Sequence, residues 1–208
     1  MRFAATLIAS LFFFTSSAFA GGFGLMMHGG THSERVYFYS DHDAAGDKLA
    51  NFRDYEQYQL VQSLLNGGGG IELILGDRDD KITGVFRGYY LIDQAQKDPA
   101  DFTELVDPSY VVSTHRETAR HSGVAQIGLN WGIFGKPKGF QFGAVAHVGS
   151  GFMTSDHTEF LTADIGLTIN YRFIRQMQFF TDVVYQMRWR KGASHGATMF
   201  TGVRYLFD

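Results

Sequence analysis

From Phe160 to the C-terminus, apolar and polar side chains alternate with few errors. Leu161, Ala163, Ile165, Leu167, Ile169, Tyr171 and Phe173 take the odd positions, and Thr162, Asp164, Gly166, Thr168, Asn170 and Arg172 fall between them. Successive side chains of a strand point to opposite faces, so this spacing predicts a strand with one apolar and one polar wall. The same reading holds for Met177–Trp189, for His195–Phe207 and, further back, for Gly139–Met153, Gly123–Phe134, Ile82–Asp93 and Gly70–Gly76. That makes seven strands. An eighth is expected in Gly21–Ser40, although Phe23, Leu25 and Met27 fit one parity while Val36 and Phe38 fit the other. A bulge at Gly29-Gly30 would reconcile the halves.

The two clearest segments are about 13–15 residues long, where strands of globular proteins run about 5–6. Long alternating strands in an even number predict an all-β, antiparallel up-and-down transmembrane β-barrel of eight strands. Connection lengths fit this plan. Asp77–Asp80, Gly135–Lys138 and Ile174-Arg175 read as short turns, whereas the two long connections, 41–67 and 95–121, fall on the opposite side. In the first of them, Leu49, Phe52, Tyr55, Tyr58, Val61 and Leu65 recur at helical spacing, with Asp47 as a cap and Gly67–Gly70 as a stop. A short amphipathic helix is expected there, lying on a membrane surface or docking a partner.

The wall facing away from the apolar side carries glycines and charges of both signs: Glu72, Arg87, Asp164, Arg172, Asp182, Arg188 and Arg204. An eight-stranded barrel has an interior only wide enough for its own side chains, so these residues are expected to form a paired polar network in a filled lumen. Trp131, Tyr171, Tyr185 and Trp189 lie toward strand ends, as an interfacial aromatic belt requires. The soluble alternative is a secreted barrel with the apolar wall inside.

Residues 1–20 have the build of a secretory signal peptide: Arg2, the apolar run Ala4–Phe14, and the small-x-small site Ala18-Phe19-Ala20. Cleavage there leaves 21–208 as one domain of about 188 residues. It also moves the formal net charge from −3 to about −4, which excludes the clustered basic face of a nucleic-acid binder. The chain has no cysteine, so no disulfide framework is available.

The ending Met199-x-Thr201-x-Val203-x-Tyr205-x-Phe207 resembles the C-terminal strand signature of Gram-negative outer-membrane β-barrel proteins, with Asp208 one residue past the usual terminal Phe. The resemblance implies that Tyr205 and Phe207 are read by the barrel-assembly machinery, and that the protein resides in the cell outer membrane. In size, strand count and leader the chain is similar to small barrels of the OmpA, OmpX and OmpW type. The expected work is structural or partner-presenting, through loops 41–67 and 95–121, in contact with outer-membrane lipid and an envelope partner.

Two other activities are open. Some barrels of this class are lipid-modifying hydrolases or acyltransferases, and here Asp156, His157, Ser194 and His195 are the weak candidates for a nucleophile and base. No His-x-Ser-Asn motif supports them, and no catalytic site is assigned. A narrow channel for ions or small hydrophobic solutes is the third. The histidines (among them His28, His32, His42, His115 and His121) lack metal-ligand spacing, so no metal or cofactor is expected. His147, on the polar wall, reads as a lumen hydrogen-bonding residue.

Overall fold

The structure, a computed structural model, describes residues 21–40, 56–77, 79–95, 111–113, 119–154, 158–189 and 193–207. Every regular element among them is a strand. These are β1 (Gly21–Ser40), β2 (Glu56–Leu75), β3 (Ile82–Ala95), β4 (Val111–Ser113), β5 (Ala119–Gly135), β6 (Phe140–Met153), β7 (Thr158–Ile174), β8 (Met177–Trp189) and β9 (Ala193–Leu206). Eight of them pair in the order β2-β3-β5-β6-β7-β8-β9-β1, and β1 also pairs with β2. All neighbours are antiparallel, which makes a closed up-and-down barrel. Closure matters because it leaves no sheet edge within the wall.

The alternation read from the sequence sets the faces. Leu129, Trp131, Leu161, Ile165, Leu167 and Val183 turn outward, and Leu167 is 69% exposed. Gln126, Asn130, Asp164, Asn170, Asp182 and Arg188 turn inward and are buried. The interior is not wholly polar, however. Met26, Tyr89, Leu91, Val124, Val145, Phe160, Phe180, Val184 and Phe200 form one buried apolar cluster inside it, and Ile74, Val85 and Leu206 a second.

The short turns lie at one end, together with both ends of the described barrel: the Phe207 N–H donates to the Gly21 carbonyl at 2.7 Å. In the first turn Asp77 accepts from the Asp79 N–H at 2.9 Å, the local bond that makes aspartate a turn former. In the second, Gly135 and Gly139 have φ of 90° and 133°, which glycine adopts without Cβ strain. Two register shifts lie beside these turns, at Gly132/Phe134 and at Arg172/Ile174.

The structure departs from the sequence reading in the first quarter of the chain. No bulge occurs at Gly29-Gly30: β1 keeps one register with β2 from Gly21↔Leu75 to Ser40↔Glu56. The change of apolar parity falls instead beyond Glu34, where β1 has left its partner β9 and continues with β2, joined by β4 only at Tyr39 and Ser40. A two-stranded ribbon past the barrel no longer has to separate an interior from an exterior, so the alternation is free to change phase.

The expected amphipathic helix is also corrected. Tyr58, Val61 and Leu65 belong to β2, opposite Phe38, Arg35 and Thr31, while Leu49, Phe52 and Tyr55 lie outside the described residues. Long-range pairing over twenty residues of β1 outweighs a local helical spacing. Gly67–Gly70 lies within β2, not at its entry. The first long connection therefore shortens to 41–55. The second contains β4, which pairs with Tyr39 and Ser40 at the tip of β1.

The two neighbouring glycines of β1 differ in what a side chain would meet. A Cβ on Gly30 would collide with the Ala197 carbonyl and come within 2.8 Å of Thr198 Cα, whereas on Gly29 it meets nothing nearer than the Asn66 carbonyl at 3.7 Å. Gly30→Val is expected to destabilise the barrel by about 1–3 kcal/mol through overpacking. Gly29→Val should stay within about 0.5 kcal/mol. Urea unfolding followed by tryptophan fluorescence separates the two.

Candidate functional site

The chemistry-bearing residues gather inside the barrel in tiers. Nearest the short turns, Arg172 reaches out of the lumen to Asp79, with Nη1 2.7 Å from Oδ1. Above it lies a four-charge cluster. Glu72 accepts from Arg87 Nε at 3.2 Å and from Arg204 Nε, and Arg87 donates its Nη2 to Asp182. Arg204 Nη1 donates to Asn170 at 2.8 Å and to Gln178 at 3.3 Å. Its guanidinium lies 3.9 Å from the centroid of Phe180, and that of Arg87 5.0 Å from Phe200, so the apolar rings of the interior also serve as cation–π faces. Glu72, Arg87 and Asp182 are 0% exposed. Two arginines and two carboxylates make the cluster neutral, the condition under which buried charge is tolerated.

On the β5–β7 wall of the same interior, Asp164 accepts from Gln126 at 2.8 Å and lies 2.6 Å from His147 Nδ1. A carboxylate only accepts, so Nδ1 of His147 carries the proton. The tier toward the long connections is built on Arg188. Its Nη1 bonds both oxygens of Asp93 at 2.7 and 2.9 Å, and its Nε and Nη2 bond Gln186 at 3.1 and 2.9 Å. Gln186 in turn donates to the Tyr89 hydroxyl at 3.1 Å. At that rim Arg120 clasps Glu34 with two bonds of 3.0 and 2.6 Å.

Arg120, together with His121, falls within the segment expected to be a solvated loop. In the structure Arg120 is a buried lumen residue of β5 and His121 faces outward, bonded to the Tyr90 hydroxyl at 2.6 Å. The signal was present: Arg120 and Ser122 share the parity of Gln126 and Asn130. His32, weighed from the sequence as a metal ligand, and Asp93 are both absent from the expected polar network, although each lies on the inward parity of its strand.

The catalytic candidates are not assembled as a set. Asp156 and His157 lie outside the described residues. Ser194 is inward and buried, whereas His195, the next residue of β9, is outward and bonded to the Tyr185 hydroxyl at 2.8 Å. Adjacent strand residues cannot serve one site. Ser194 does meet another imidazole, with Oγ 3.3 Å from His32 Nδ1. The other ring nitrogen, Nε2, lies 3.4 Å from Arg188 Nη2 and 3.1 Å from Thr198 Oγ1. A guanidinium can only donate, which makes Nε2 the acceptor and leaves the proton on Nδ1, facing Ser194. In that tautomer His32 donates to the serine and does not take its proton.

Among the described residues the lumen has a cavity of about 20 Å³ beside Arg204 and Gln141 and another of about 30 Å³ beside Arg188 and Leu64. Each has room for roughly one water, whose share of liquid volume is about 30 Å³. Among the described residues no group of three or more His, Cys, Asp or Glu side chains could hold a metal ion. The fold and its interior therefore define an eight-stranded up-and-down barrel whose described inward charges form ion pairs. No protein-family model matches the chain, and no curated protein matches it in sequence.

Removing one member of the four-charge cluster leaves an uncompensated buried charge. Glu72→Leu, which leaves Arg87 and Arg204 with Asp182 as the one carboxylate of the cluster, is expected to cost about 3–5 kcal/mol in urea unfolding. Thr181→Val, on the outward side of β8, is expected to cost less than about 1.5 kcal/mol, the neutral hydrogen-bond range.

Proposed function

We propose that this protein is an integral outer-membrane β-barrel with a filled lumen, acting as a structural or partner-presenting subunit of the cell envelope. The carrying observation is the inversion of its two faces: large apolar side chains cover the outside, from Leu25 and Met27 to Val203 and Tyr205, while Glu72, Arg87 and Asp182 are sealed within. A barrel working in water would bury the first set and expose the second. In lipid the order reverses, and a closed barrel satisfies every backbone group. Trp131 and Tyr171 near the short-turn end, with Tyr185 and Trp189 toward the other, fit aromatic belts at two interfaces.

The outward Tyr205 and Phe207 suit recognition by the barrel-assembly machinery, and β1 begins directly after the expected leader. At the long-loop end the β1–β2 ribbon, joined by β4, extends past the wall and supplies the surface a partner would meet. The filled lumen weighs against a channel and the His32 tautomer against a serine hydrolase, so neither replaces this reading.

The first experiment is flotation with phospholipid vesicles together with electrophoretic mobility before and after boiling. A floating protein whose folded and boiled bands differ supports the barrel in lipid; a soluble protein without a mobility shift overturns it. Leu167→Arg, at an exposed mid-strand position, should cost about 2–4 kcal/mol of stability in vesicles. Thr168→Ser, the inward neighbour, should cost far less. In water the first substitution would be harmless. Planar bilayers should show no conductance steps, and steps that change with Asp182→Asn would favour the channel instead.

A further inference from the structure

The outer wall is not evenly covered. At mid-height on β5–β8 lies a hollow of about 340 Å³, at the lower end of the 300–1,000 Å³ typical of small-molecule sites and far larger than either lumen cavity. Its floor comes from two alanines, each bracketed across the strands by bulky neighbours. Ala146 stands between Leu129 and Ile165, and Ala163 between Val148 and Met187. Ile127, beside Val148, completes the rim. Leu129, Val148 and Ile165 stand more than half exposed, so the walls rise while the floor stays low. The two polar side chains of the lining, His147 and Asp164, lie on the inward parity of their strands, are buried and pair through His147 Nδ1, so the side chains turned toward the hollow are all apolar.

We infer that this hollow binds one acyl chain of a membrane phospholipid, an inference that rests on the membrane reading above. The chemistry admits an apolar occupant alone. The extent argues against a protein: the hollow presents seven outward side chains, Ile127, Leu129, Ala146, Val148, Ala163, Ile165 and Met187, whereas a stable protein interface takes about 20–30 residues on each side. A flexible hydrocarbon chain already present in the surrounding solvent fills such a recess without ordering a second polypeptide, and it restores the dispersion contacts that a void on the wall would forfeit.

Photolabelling tests it. The full-length protein is reconstituted in phosphatidylcholine vesicles doped with a phosphatidylcholine bearing a diazirine in one acyl chain, irradiated and digested. The expected result is a severalfold excess of label on 127–129, 146–148, 163–165 and Met187 over equally exposed outward residues elsewhere, such as Leu25 and Leu161. Ala146→Leu and Ala163→Leu, each filling the floor, should abolish the excess, whereas Ala197→Leu on β9 should leave it unchanged. Even labelling of the wild-type protein overturns the acyl site, whatever the variants do. A protein that does not float with the vesicles overturns the membrane reading itself, and a floating protein with even labelling overturns this inference alone.

Discussion

A ring of eight strands encloses so little space that a charge held deep within it must find its partner among other inward side chains. The Glu72–Arg87–Asp182–Arg204 cluster meets that demand with equal numbers of each sign, and its bonds join β2, β3, β8 and β9 across the lumen. Buried ion pairs are weak evidence of net stability, because desolvation offsets much of their attraction. What they supply is specificity. A slip of β2 against β3 by one residue would turn Glu72 outward, removing the carboxylate partner of Arg204 and leaving Arg87 with Asp182 alone. The register of the wall and the pairing inside it therefore depend on each other.

The apolar side chains within the lumen belong to the same arrangement. Phe180 and Phe200 carry no polar group, yet they lie against the guanidinium faces of Arg204 and Arg87 and exclude water from the charges. A low local dielectric strengthens the paired interactions and raises the cost of an unpaired one. Among the described residues the cavities beside these charges each have room for roughly one water. On the proposed reading, the surfaces that meet other molecules are the ends and the outer wall of the barrel.

Those surfaces differ in kind. At one end the connections are tight turns held by glycines of positive φ and aspartate side chains, as at Asp77 and Gly135. At the other, β1 and β2 outrun their neighbours and carry β4 on their tip. On the proposed reading the first end is the compact internal side and the second is the face open to partners. The outer wall between them would be covered by lipid, with the Ala146–Ala163 recess as a hollow among bulky side chains.

Most of the barrel was legible in the residues themselves. Alternation with period two, sustained from Gly123 to Phe207, determines both strand identity and which side chains share a face, and the inward parity already names Asp164, Asp182, Arg188 and Arg204. Where glycine replaces alternating side chains, as at Gly29-Gly30 and Gly67–Gly70, that signal vanishes, and a chance helical spacing in 49–65 filled the gap. Only the pairing of β1 with β2, a long-range fact, placed Tyr58, Val61 and Leu65 in a strand. The tertiary structure also decided who meets whom: Glu72 with two arginines, Asp93 with Arg188, Ser194 with His32 and away from His195. Periodicity is a property of one segment and can be read along the chain. Partnership depends on how eight segments close into a ring, and no single segment contains it.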